Sequence, residues 1–135
     1  MNDNKQKDYS ELEIFSEASS MSAELRESIK QMSRYYRFDV GDELRKLLRQ
    51  IKYLIADASG KIEIKGKYEA VQELLETISH IEIALQDCLE DNALSVSGRY
   101  NINQPLIRLS KIKDQATRWR NYLHDVYVRG KEQED

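Results

Sequence analysis

The sequence predicts an all-α protein, an antiparallel up-and-down four-helix bundle. Three observations carry this. Apolar residues recur in steps of three and four along four separate stretches. Only one proline and five glycines occur in 135 residues, and they fall at the ends of those stretches or between them. Charged residues make up 33% of the chain and hydrophobic residues 40%, a balance that suits exposed helices around one core.

The first helix is expected over about 10–32. Ser10 is placed as its N-cap, with Glu13 three residues later in capping-box spacing. Phe15, Ala18, Leu25, Ile29 and Met32 form its apolar face, and Glu13, Glu17, Glu24 and Glu27 the opposite one. The short aromatic segment Ser33 to Gly41 interrupts the pattern, and its Asp39 can cap the next helix. That second helix, 40–59, places Val40, Leu44, Leu47, Ile51, Leu54 and Ala58 inward and ends at Ser59-Gly60.

Lys61 to Gly66 alternates polar and apolar residues but is too short for a strand without a partner, so it reads as an extended connection. The third helix, 67–90, turns Val71, Leu74, Leu75, Ile78, Ile81, Leu85 and Leu89 inward. Asp91 to Asn103, rich in Asn, Ser and Gly, is a loop. Pro105 fits the first turn of the fourth helix, 104–129, which carries Leu109, Ile112, Ala116, Trp119, Leu123 and Val126. Gly130 should end it. Residues 1–9 read as a polar tail and 131–135 as a frayed acidic one. Helices of this length span ~27–37 Å, and each must bury one stripe against the others.

The same composition limits function. No stretch approaches the ~20 apolar residues of a membrane span, and the polar start is neither a signal nor a transit peptide. A single cysteine forms no internal disulfide. The expected location is the cytoplasm. His80 lies on the outer face one turn after Glu76, whereas bundle metal sites need inward Glu-x-x-His motifs on two helices. His124 has no matching acid, and Cys88, on an apolar face, reads as a buried inert thiol. No phosphate loop, nucleophile elbow or metal-binding Cys/His motif occurs. The expectation is a protein with no catalytic residues, metal, cofactor or small-molecule substrate.

Charge is more informative than its total of −3. Residues 11–33 carry five acids and two bases, and residues 68–92 seven acids with no Lys or Arg. Residues 43–67 carry seven bases against three acids, and residues 106–130 six against two. On the fourth helix Arg108, Lys111, Arg118 and Arg129 follow one flank, with Gln115 and Tyr122 between them. Cations spaced along such a helix can track a phosphate backbone. The same pattern also suits an ordinary solvated face, one that pairs with the acidic helices, or acidic and basic faces that meet between copies in a homo-oligomer. Trp119 fits either core or subunit interface.

Two segments carry a family resemblance. Tyr9-Ser-Glu-Leu-Glu-Ile-Phe15 resembles the opening of many bacterial four-helix bundle proteins. Arg34-Tyr-Tyr-Arg-Phe-Asp-Val-Gly-Asp-Glu-Leu-Arg45 is similar to the second-helix entry in the family of the rRNA intervening-sequence proteins and Avd, the accessory variability determinant of diversity-generating retroelements. The late Trp119 is also similar, and the likeness covers roughly residues 9–127. It implies a four-helix subunit assembling into a barrel-like homopentamer that binds a reverse transcriptase and its template RNA. The intervening-sequence members imply protein interaction alone. Known retroelement members tend to be markedly basic, and this chain, at pI about 5.5, departs from that. The residues expected to contact nucleic acid or partner are Arg45, Arg49, Lys52, Arg108, Lys111, Arg118 and Arg120.

Overall fold

The computed structural model describes residues 12–134, and all regular structure among them is helical. Four long helices pack against one another: α1 (Glu13–Lys30), α3 (Asp42–Gly60), α4 (Ile64–Glu90) and α5 (Asn103–Glu134). A short α2 (Arg34–Tyr36) and a π-helical turn (Arg37–Gly41) lead into α3. α1 packs on α3, α3 on α4, α4 on α5 and α5 on α1, so the four close around one core.

α1 opens with Glu13 and closes with Lys30, charges that suit the ends of its dipole. Its N-cap is Leu12, with no side-chain capping bond; Ser10 lies outside the described residues, as does the tail 1–9. Ile14, Ala18, Met21, Leu25 and Ile29 are buried, while Phe15 sits only partly buried at the core's edge. Two serines share this buried face, and Ser22 Oγ accepts a 3.0 Å bond from Arg26 Nε.

The segment Ser33 to Gly41, expected to interrupt the helical pattern, is mostly helical. Only residues 31–33 separate α1 from α2, and the π turn runs directly into α3. Asp39 therefore lies inside the helical run, and α3 has no side-chain cap. Gly41 explains the geometry. It is buried at the π turn, and a Cβ there would sit 3.1 Å from Ile29 Cγ2 and 3.4 Å from the Tyr36 carbonyl oxygen. A missing side chain lets this helix entry press against the end of α1. The glycine acts as a contact point here, whereas its sequence context suggested a breaker.

α3 buries Leu44, Leu48, Ile51, Leu54, Ile55 and Ala58. Leu47 and Val40, both expected inward, are only partly buried. The helix ends at Gly60, where Lys67 Nζ donates to the carbonyls of Ala58 and Ser59 at 3.1 and 3.2 Å. Those are among the carbonyls that a helix C-terminus leaves unpaired. The connection is shorter than expected, since α4 begins at Ile64 instead of Lys67. The two isoleucines that suggested alternation part company: Ile62 is 88% exposed, and Ile64 packs on a small cluster of Ala58, Ala70, Val71 and Leu123.

α4 supplies Val71, Leu74, Ile78, Ile81 and Leu85 to the core and ends at Glu90, as its spacing predicts. The loop to α5 contributes its own buried residues, Leu94 and Ile102. Cys88 O accepts from the amides of both Ala93 and Leu94, and Asn103 Nδ2 donates to Val96 O at 2.6 Å. Pro105 stands in the first turn of α5. Gly130 does not end that helix, which continues to Glu134. A helical glycine costs only about 1 kcal/mol, and Lys131 Nζ lies 5.1 Å over the Tyr127 ring across this turn.

Candidate functional site

The structure divides the expected cationic residues into two groups. On α5, Arg108 is committed within the chain. Its Nε donates to Glu24 Oε1 at 2.5 Å and its Nη1 to Glu17 Oε2 at 3.1 Å, both on α1. These two bonds, with Glu24 the stronger, raise the guanidinium's pKa further, so it stays a fixed cation. Arg118 pairs with Asp114 one turn before it. Arg120 donates to Asn121 Oδ1 at 3.2 Å. Lys113, beside this stripe, reaches Glu82 on α4 at 3.2 Å. Only Lys111 of the expected α5 set is exposed without a hydrogen bond or ion pair to a described residue. The acidic faces of α1 and α4 thus take up two of the α5 cations, Arg108 and Lys113.

α3 differs. Arg45 bonds Asp42 at 2.8 Å, an exposed pair of the kind worth little in water. Arg49 and Lys52 form no ion pair with a described residue, and neither does Lys46, which sequence reasoning did not single out. Lys46, Arg49 and Tyr53 follow in steps of three and four and are all exposed, so they share the outer face of the helix. Tyr53 is 70% exposed.

The helical run that leads into α3 carries two more exposed aromatic residues. Tyr35 is 73% and Phe38 64% exposed, and the Arg34 guanidinium lies 5.7 Å over the Phe38 ring. Tyr36 meets Tyr35 edge to face at 5.3 Å and packs inward against the core. An open groove of about 540 Å³ is lined by Arg34, Tyr35, Phe38 and Asp39. The run Arg34-Tyr-Tyr-Arg-Phe38 was visible as a basic aromatic segment, but its exposure depends on the helical turn that carries it.

Other candidates lack such a pattern. His80 is exposed on α4. His124 Nδ1 lies 3.6 Å from Asp125 Oδ1, and its ring lies 6.1 Å from that of Tyr68. Among the described residues no three His, Cys, Asp or Glu side chains gather as a metal site. Nor is any helix among them long and apolar enough to cross a membrane. Trp119 is partly buried against both hydrophobic clusters and lines an open groove of about 530 Å³ with Leu12, Glu13, Ile14, Ser59, Lys67 and Gln115. Burial lowers the pKa of Lys67 in this groove. No family model, curated protein or solved structure matches the chain.

Proposed function

We propose that this chain is a non-catalytic binding protein whose α3 face contacts RNA, and that it serves as an Avd-like accessory to a reverse transcriptase. The observation that carries the RNA reading is on α3. Lys46, Arg49 and Lys52 stand without acidic partners among the described residues, although the chain as a whole is at −3. Cations left unpaired on an acidic protein are available to phosphates. The retroelement role and the homopentameric state rest on the resemblance of Tyr9 to Phe15, of Arg34 to Arg45 and of Trp119, and the cytoplasmic location on the composition.

We read the helices as an antiparallel up-and-down bundle. Two contacts support that direction for α4 and α5: Glu82 with Lys113, and Tyr68 with His124. As one number falls the other rises, which is the register of antiparallel neighbours.

The test combines charge reversal with stability. The double substitution Arg49→Glu and Lys52→Glu is expected to weaken binding of a labelled oligoribonucleotide in fluorescence anisotropy several-fold. It should also reduce the log–log salt slope by roughly 0.7 for each phosphate that the helix no longer neutralises. Its urea midpoint should barely move. Arg108→Glu should do the reverse, because it sets a third carboxylate against Glu17 and Glu24 and lowers the urea midpoint. Wild-type RNA affinity in the α3 double variant would overturn the RNA reading. Co-purification of the chain with a reverse transcriptase, together with a pentameric mass by light scattering, would carry the accessory role. A protein partner captured without any RNA affinity would favour the intervening-sequence alternative.

A further inference from the structure

We infer that Tyr35 and Phe38, flanked by Arg34 and Arg37, form a base-stacking platform that gives the cationic face of α3 a preference for single-stranded over duplex RNA. This deepens the RNA reading and rests on it.

Two large exposed aromatic side chains line one groove on a segment held in place from beneath. Tyr36 packs against the core and Gly41 is pressed on Ile29, so the aromatic pair is carried on an anchored turn. An anchored ring loses little freedom when a ligand stacks on it. Arg34 and Arg37 make no ion pair with a described residue. The guanidinium of Arg34 lies 5.7 Å over the Phe38 ring and has no acidic partner among the described residues, so its N–H groups can meet a phosphate. Asp39 at the edge of the groove keeps phosphates to the arginine side.

The same helical run continues the pattern. Between positions 34 and 52 stand Arg34, Arg37, Arg45, Lys46, Arg49 and Lys52 against Asp39, Asp42 and Glu43, and Tyr53 follows. Exposed rings interleaved with unpaired cations match a strand whose bases are free to stack and whose backbone is anionic. A duplex hides the faces of its bases and offers only phosphates to such a surface. An acidic protein would satisfy the arginines but supplies fewer flat partners for Tyr35 and Phe38.

The experiment measures anisotropy with a short labelled oligouridylate and with duplex RNA of equal length. Phe38→Ala and Tyr35→Ala are each expected to lower single-strand affinity about 5- to 150-fold, the effect of removing one stacked base. The salt slope and duplex affinity should stay at wild-type values, and Phe38→Trp should restore single-strand binding. Both side chains are exposed, so helix content by circular dichroism should not change. Wild-type affinity in the aromatic variants, with weakening in Arg49→Glu/Lys52→Glu, would overturn the platform and leave the α3 reading standing. Unchanged affinity in both sets would overturn both. A fall in solution mass on Phe38→Ala, at unchanged RNA affinity, would make the patch a contact between copies and also overturn the platform.

Discussion

Leu48→Ala is expected to destabilise the folded chain by about 2–5 kcal/mol, and Leu47→Ala by clearly less, in paired urea denaturation curves. The two leucines are adjacent, equal in size and in the same helix, so propensity and unfolded-state effects nearly cancel between them. Their environments differ. Leu48 is 0% exposed and belongs to the central cluster, whereas Leu47 sits partly buried at its margin. Truncating Leu48 leaves a void that the close-packed neighbours Leu44, Ile51 and Ile55 can only partly fill. Truncating Leu47 leaves space that water enters. The slopes of the two curves should agree, since neither change alters the surface exposed on unfolding by much. A larger loss for Leu47→Ala would mean that α3 faces the core about one residue differently.

The same pair of leucines shows why the fold was easier to read than its details. Val40, Leu44, Leu47, Ile51, Leu54 and Ala58 form one set of three- and four-residue steps; the buried set Leu44, Leu48, Ile51, Leu54, Ile55 and Ala58 follows such steps except at the adjacent pair Leu54 and Ile55. Four positions are common to both, so the helix and its general facing follow from either set. The choice between neighbouring leucines is made in the packing, where Leu48 lies in the buried cluster and Leu47 at its margin. Nothing in the local pattern distinguishes a π turn from a loop. Aromatic residues followed by Gly41 read as a break, and only the contact with Ile29 explains the glycine. Ile62 and Ile64 misled in the same way, because two isoleucines two residues apart fit a strand or a helix start equally well. At the candidate site the cations themselves were legible, but their availability was not. Arg108 meets Glu24 and Glu17 across sequence separations of 84 and 91 residues. No helical spacing rule reaches that far, and those contacts remove Arg108 from the cations that α5 could offer a phosphate.

Cys88 supplies the second large expected effect, on chemical reactivity. Its side chain is buried on α4, and burial first, then the nearby charges of Asp87 and Asp91, push the thiol from 9.0 up to about 11. At about pH 8 a thiol of that acidity carries roughly a hundredth of the thiolate of an unperturbed one. Labelling of the native chain by an aromatic disulfide reagent should therefore be at least about a hundredfold slower than labelling in concentrated urea. Low urea, below the unfolding midpoint, should accelerate it by increasing the open population. The sign of the linked stability follows. Between about pH 9 and 11 the unfolded chain releases the Cys88 proton while the folded chain retains it. The thiol's contribution is thus complete below the unfolded pKa and is lost as pH rises through the folded one. Cys88→Ser carries no proton to release there, so its stability should fall less steeply over the same alkaline range. Prompt, stoichiometric labelling of the native protein at neutral pH would contradict the buried placement of Cys88, and with it the packing of α4 beneath the loop at Ala93 and Leu94, whose amides both bond to the Cys88 carbonyl.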